Sequence, residues 1–209
     1  MKEVIDIFPI PIYCKKYFAH DAIKNFFYDS KDKLIKNNSG SDKNLIHYHS
    51  RDHSVLNDIK YIDFKLWCEE TCKDYIKNVL GYVVYDKIFV TDSWINVCLS
   101  GGNQYYHNHT NSFVSATYYI NYNKEEHAPL SFFKPSFSLE STISLDTNDV
   151  YNKFNSVDFY PEEGCIILWP SYLKHGYNNN IGDDRMTISM NFMPSVVKHG
   201  PHMFQVSPV

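Results

Sequence analysis

The alternation of apolar and polar positions changes character once along the chain, near residue 82. Upstream, apolar residues recur at helical intervals. Between Asp21 and Ile35, Ile23, Phe26, Phe27 and Leu34 fall near one face, and Asp21 stands where a capping residue would. Residues 37–54 are polar, rich in Asn, Ser, Asp and His, and predict a loop. The stretch from Asp58 to Leu80 then sets Ile62, Leu66, Cys72, Ile76, Val79 and Leu80 on a broadly common face, with Gly81 as the helix stop.

Downstream the period drops to two. YVVYDKIFV, SWINVCL, FVSATYYINY, LSFFKP, VDFYP, CIILWP and RMTISMNFM are short, β-branched and aromatic, with turn residues between them. PEEG at 161–164 predicts a turn, and NNNIGDD at 178–184 a hairpin loop. Seven such stretches in about 120 residues predict a mainly β sandwich or jelly roll. No fixed-period repeat or low-complexity tract divides the chain, so one structural domain is expected. Residues 1–85 would form an N-terminal helical support region packed on the barrel, and residues 86–209 the β core.

Composition narrows the class. The 209 residues are 44% apolar, 16% aromatic and 21% charged, enough for a substantial core and too aromatic for disorder. Twenty basic and 24 acidic residues leave a charge of −4, which supplies no field for a phosphate backbone or an anionic membrane. No basic stripe interleaved with aromatics indicates a nucleic-acid partner. Five cysteines form no framework, and Cys68 with Cys72 is a CxxxC rather than a zinc CxxC pair, so a reducing compartment fits. Prolines 9 and 11 interrupt any signal-peptide core, and the longest unbroken apolar run, 165–169, is far too short to span a membrane. A cytoplasmic protein without a membrane partner is expected.

The sharpest local feature is GGNQYYHNHTNS at 101–112. In extended chain His107 and His109 project to one face, and imidazoles suit a first-row metal ion. A second such pair, His47 and His49, shows that the spacing alone does not choose, because an exposed polar pair looks the same. The first pair has company downstream. His175 follows the apolar run CIILWPSYL, and Arg185 comes ten residues later at the head of RMTISMNF. In that strand Arg185, Thr187, Ser189 and Asn191 share one face, and Met186, Ile188, Met190 and Phe192 the other. A polar face turned to water would have no consequence. A polar face lining the barrel interior would leave a guanidinium in need of a carboxylate or phosphate, which a bound acid could supply.

These blocks resemble the iron(II)/2-oxoglutarate dioxygenase superfamily, which is built on a double-stranded β-helix (jelly roll). More closely, SWINVCLSGGNQYYHNHTNSFVSATYYI, PLSFFKP and YPEEGCIILWPSYLKHGYNNNIGDDRMTISMNF resemble the 2OG-Fe(II) oxygenases of marine bacteria and their phages, over about residues 86–194, with an echo in FPIPIY. The resemblance implies Fe(II) and 2-oxoglutarate as cofactors, His107 as the first iron ligand and His175 as the distal one. Arg185 would clamp the far carboxylate of 2-oxoglutarate, assisted by the Thr187 hydroxyl. Tyr118 would hydrogen-bond the co-substrate, and Asn96 would line its pocket. His109 stands where the superfamily has an aspartate, which implies a three-histidine metal face; the close family shares this HxH.

The implied activity is hydroxylation of an unidentified substrate C–H with decarboxylation of 2-oxoglutarate to succinate, in a bacterial or phage-infected host cell. The substrate would be a small molecule or a peptide, with dioxygen as co-reactant, and an edge strand or the N-terminal helices could support a homodimer. Two other readings remain open: a metal-free jelly-roll binding module, and a cupin-like dioxygenase using three histidines without 2-oxoglutarate. Asp158, Glu162 and Glu163 read as turn or surface residues. Trp94, Trp169, Tyr105, Tyr106 and Phe133 could line a substrate mouth or the core, and His127, His199 and His202 read as solvent-facing. Arg51, Asp52 and His53 could form a lid.

Overall fold

The computed structural model describes residues 9–38, 42–135 and 156–207. In chain order it contains β1 (Tyr13–Lys16), α1 (His20–Ser30), β2 (Ile35–Asn38), β3 (Leu45–His49), α2 (Ile62–Asp74), β4 (Ile88–Cys98), β5 (Gly102–His107) and β6 (Val114–Asn121). β7 (Leu130–Phe133), β8 (Ser156–Phe159), β9 (Cys165–Pro170), β10 (His175–Asn180), β11 (Arg185–Pro194), β12 (Val196–His199) and β13 (His202–Gln205) follow. One antiparallel sheet runs β1-β9-β6-β11-β4-β3-β2 and a second runs β5-β10-β7-β8, while β12 and β13 form a separate hairpin. The result is a mainly β jelly roll with two N-terminal helices.

Period-two alternation divides the large sheet into two chemically different faces. Met186, Ile188, Met190 and Phe192 of β11 join Val114, Ala116, Tyr118 and Ile120 of β6 and Ile166 and Leu168 of β9 in the main core. That core lies between the sheet and the helices. α1 supplies Ile23 and Phe27, and α2 supplies Phe64, Cys68 and Cys72. Phe64 is fully buried, worth about 1.5–3 kcal/mol of transfer free energy for such a side chain. The opposite face of the sheet turns toward β5, β10 and β7. There Arg185, Thr187, Ser189 and Asn191 are all buried. The polar face of β11 is therefore interior, because the helices have already claimed the apolar face.

Several sequence expectations change. Residues 37–54 are not simply a loop: β3 pairs with β4 in register His47↔Asn96, and β2 pairs with β3. The alternation LIHYH is a strand whose polar positions find partners inside the sheet edge. The face of α2 is Phe64, Cys68, Thr71 and Cys72, leaving Ile62 and Leu66 exposed. A π-helical turn over Tyr75–Val79 adds a residue to the repeat and shifts the phase, so that Tyr75 and Ile76 are buried and Val79 is not. Asp21 is not the cap of α1; Ala19 takes that position and Asp21 sits in the first turn. Gly81 ends the helical region as expected, at φ +76°. YVVYDKIFV contributes only its end to β4, which runs straight on through SWINVC. Residues 178–180 of the expected hairpin loop belong to β10. The start of the chain, through Phe8 of the FPIPIY echo, lies outside the described residues.

Candidate metal centre

His107 is the last residue of β5 and His175 the first of β10, and the two face each other across the ladder in direct register. Gly176 makes that approach possible: a Cβ there would lie 2.7 Å from the Gln104 carbonyl and 2.9 Å from the Tyr106 ring. His109 lies beyond the strand end, tied by its backbone N–H to the Ser171 carbonyl at 3.1 Å. Two short loops thus bring the third ring to the other two. Ring centroids are 4.6 Å apart for His107–His175, 5.0 Å for His107–His109 and 5.1 Å for His109–His175. One ring nitrogen from each lies within 4.8 Å of the others, and among the described residues no other group of three such side chains does so.

Hydrogen bonds orient two of the rings. His107 Nδ1–H donates to the Tyr105 carbonyl at 2.7 Å and His175 Nδ1–H to the Leu173 carbonyl at 2.9 Å. Both tautomers leave Nε2 with a free lone pair, the form a metal requires. Burial, reinforced by the neighbouring His107, lowers His109 to about 4 and His175 to about 3. Neutral imidazoles at pH 7 are the consequence. Trp94 stacks on His109 at 5.7 Å and Trp169 packs edge-on to His175 at 4.7 Å, which fixes the rings further.

The same pocket is lined by Arg185, Thr187, Tyr119 and Tyr177. Arg185 is 2% exposed. Its Nε–H donates to the Ala128 carbonyl at 3.1 Å, and the guanidinium lies 4.0 Å from the Tyr177 ring centroid and 5.4 Å from that of Tyr119. No carboxylate pairs with it among the described residues. The buried hydroxyls of Tyr119 and Tyr177 and the indole N–H of Trp169 complete no hydrogen bond. A buried cation with unused donors beside orphaned hydroxyls suits an acid with several acceptor oxygens. Three imidazole nitrogen donors suit a first-row metal. The donor set fits both groups.

The other sequence candidates divide. Asn96 is buried on this polar face, where its amide donates to Ser189 Oγ at 2.8 Å and its oxygen contacts His47 Nδ1 at 2.7 Å. Tyr118 is a correction. It points through the opposite face of β6, its hydroxyl 2.8 Å from His20 Nδ1 and its ring packed on Phe64. Tyr119, one residue on, faces the pocket, because each step along a strand reverses the side. Tyr177 was also missed, although it stands two residues from His175 on the same strand face, the rule that singled out His107 and His109. His47 and His49 lie on β3 with ring centroids 6.0 Å apart and take no part in the three-histidine group. His127 is buried rather than solvent-facing, its Nε2 2.8 Å from the Asp183 carbonyl. Trp169 is core as well as pocket wall. Asp52 holds its own turn through Ser50 and Asn57. Glu163 is ion-paired with Lys24 at 3.0 Å and contacts His20 Nε2 at 3.0 Å, outside the three-histidine group.

A family model described as "Putative 2OG-Fe(II) oxygenase" matches residues 92–191, the segment that carries all three histidines and Arg185. Over that segment the chain is similar to the 2OG-Fe(II) oxygenase family. Solved structures agree on the fold. HygX from Streptomyces hygroscopicus, with nickel, 2-oxoglutarate and hygromycin B bound, matches with a TM-score of 0.61 at 12% identity, covering 89% of this chain and 84% of that one. A Pseudomonas putida prolyl-4-hydroxylase gives 0.58 at 12% identity, covering 88% and 92%. The epimerase SnoN from nogalamycin biosynthesis gives 0.56 at 9%, covering 90% and 77%. The two sheets are thus those of the double-stranded β-helix of 2OG oxygenases. No curated protein matches this chain in sequence. No helix among its described residues is long and apolar enough to cross a membrane.

Proposed function

We propose that the protein is an Fe(II)/2-oxoglutarate-dependent oxygenase that hydroxylates an organic substrate, with His107, His109 and His175 as the metal ligands and Arg185 as the clamp on the far carboxylate of 2-oxoglutarate. One observation carries this reading: three imidazole nitrogens within 4.8 Å of one another share a pocket with a buried guanidinium that pairs with no carboxylate among the described residues. Bound together, Fe(II) and 2-oxoglutarate supply the oxidising chemistry, in which dioxygen is consumed, 2-oxoglutarate becomes succinate and a substrate C–H is hydroxylated.

The chain's own residues do the remaining work. The Tyr105 and Leu173 carbonyls engage Nδ1–H of His107 and His175, so that Nε2 is the nitrogen each ring presents to a metal. Arg185 is held by Ala128 and by tyrosine faces that consume only one of its five N–H donors, leaving the fork free for a carboxylate. Tyr119 and Tyr177 offer hydroxyls at the same end, and Thr187 and Asn96 lie on the same polar face. Trp94, Trp169 and Leu130 line the walls and keep water out, which strengthens each ionic contact. The family match supports the reaction type, while the likeness to both a hydroxylase and an epimerase leaves hydroxylation as the proposed outcome. A small molecule or peptide is the proposed substrate.

Anaerobic titration tests the reading. The purified protein should take up one Fe(II) and, on addition of 2-oxoglutarate, develop a weak visible charge-transfer band, and under air it should convert 2-oxoglutarate to succinate. Fe(II) uptake without any response to 2-oxoglutarate would favour a three-histidine dioxygenase of another kind. Absence of metal uptake would refute both.

A further inference from the structure

We infer that the oxygenase's substrate is a neutral, largely apolar small molecule, received in a groove that opens on the outer side of His109. The inference rests on the proposed metal role of that histidine. His109 lines two cavities at once: the pocket it shares with Arg185, and a second cavity of about 720 Å³ formed by the Pro9–Pro11 segment, the end of the helical region, the 108–113 loop and the β9–β10 turn. That volume lies inside the range of roughly 300–1,000 Å³ typical of small-molecule sites. The two cavities share a single lining residue, His109, so a molecule seated in the groove lies against the residue that supplies one proposed ligand of the metal.

The lining states the chemistry. Among the described residues it contains no Asp, Glu, Lys or Arg. Its contact surface comes from Ile10, Leu80, Tyr82, Phe113 and Tyr172, and its polar groups are confined to Asn108, Ser112, the tyrosine hydroxyls and His109 itself. Tyr82 and Phe113 meet edge to face at 5.6 Å and form one wall. Tyr172 is 60% exposed and Tyr82 57%, both large aromatic surfaces left to water beside a deep site. A charged substrate would lose hydration here with nothing to replace it, whereas a ring or hydrocarbon frame with one or two hydroxyl or carbonyl groups would bury apolar area and satisfy the few polar positions.

A test uses three fluoronaphthalene probes of one scaffold, bearing a hydroxymethyl, an ammonium or a carboxylate group, observed by 19F NMR with the full chain loaded with Zn(II) or with Mn(II). The hydroxymethyl probe should bind at least fivefold more tightly than either charged one, and its signal should broaden strongly with Mn(II) but not with Zn(II), because the groove adjoins the metal. Tyr172→Ala, at an exposed position, should weaken it about fivefold while metal uptake is unchanged. Ile10→Asp should reverse the preference toward the ammonium probe. Retained Mn(II) with no added broadening, or a preference for either charged probe in the unmodified protein, would overturn the groove assignment alone. Failure to retain Mn(II) at all, read separately from its own magnetic resonance signal, would overturn the metal reading and this inference with it.

Discussion

Replacing Arg185 separates ligand binding from folding, and the structure fixes the sign of each effect. The guanidinium is buried, bonded only to the Ala128 carbonyl, and otherwise held by the faces of Tyr177, Tyr119 and Tyr122. Arg185→Met removes a buried cation that no carboxylate balances among the described residues, which is a gain for the free protein. It also forfeits cation–π attraction, on the order of 2 kcal/mol in a desolvated site, and orphans one carbonyl, at about 1–3 kcal/mol. These terms offset, so the thermal midpoint of the ligand-free variant should lie within about 4 °C of the parent, the shift that ~1 kcal/mol produces at this chain length. Affinity for 2-oxoglutarate should fall sharply. Losing one partner of a buried, hydrogen-bonded charge pair costs about 2–5 kcal/mol, roughly 30-fold to several thousand-fold in Kd. Calorimetric titration of 2-oxoglutarate into Zn(II)-loaded protein, beside a thermal melt, reads both. An unchanged Kd would show that the guanidinium does not hold the co-substrate. A midpoint lowered by ten degrees or more would show that it holds the fold instead.

Three further outcomes follow from the same geometry. His175→Ala should abolish stoichiometric metal uptake, measured by elemental analysis after dialysis, whereas His47→Ala should retain it. Gly176→Ala should push β5 from β10 beside the cross-strand histidines, because the new methyl meets backbone oxygen at 2.7 Å; metal affinity should drop about 10- to 100-fold, as when a ligand loses its support, while far-ultraviolet dichroism is retained. The metal-free protein should lose stability as pH falls. His175 and His109 are lowered to about 3 and about 4, so the unfolded chain takes up protons near pH 6.5 that the folded one refuses; their contribution is complete above about 6.5 and is lost progressively toward 4. Melts between pH 7.5 and 4.5 should show this slope, and His175→Gln should flatten it.

Period-two alternation made the central strands readable, since β6, β7, β9 and β11 coincide with their apolar stretches. What alternation does not state is which side is interior. The polar face of β11 reads equally well as solvated, and only the helices, arriving from a distant part of the chain, send Met186, Ile188, Met190 and Phe192 outward from the barrel and Arg185 inward. The same ambiguity misplaced the tyrosine. Tyr118 and Tyr119 are adjacent and identical in type, and the choice between them depends on His20, 98 positions away, accepting one of them on the helix side. β3 was hidden because its polar residues are satisfied by β4 rather than by water. The phase of α2 was lost to a π-turn that no propensity announces. The three histidines were found because their chemistry is scarce and their order matches a family.

The departure of His109 from the superfamily's aspartate has an electrostatic context. A metal face of two histidines and a carboxylate carries one negative charge; three imidazoles carry none, so the proposed centre is one unit more positive. Against the lowering by burial, Asp92 lies close enough to raise the proton affinity of His109, and Asn191 steadies that carboxylate: its amide donates to Asp92 Oδ2 at 2.9 Å. The negative charge thus sits one residue removed from the ring, on β4, where it orients the ligand and offsets part of the missing charge. His109→Asp should therefore gain little. It restores a carboxylate to the metal face but sets it within the field of Asp92, and like charges at one site raise the proton affinity of one of them. Zn(II) affinity of the single variant at pH 6.5 should differ from the parent by no more than about 150-fold, the equivalent of the ~3 kcal/mol upper end for coupled neighbouring groups. Adding Asp92→Asn should then raise affinity, whereas Asp92→Asn alone should lower it. Strict additivity across that double-mutant cycle would mean that Asp92 and residue 109 do not communicate, and that the third histidine stands without an electrostatic counterpart in the fold.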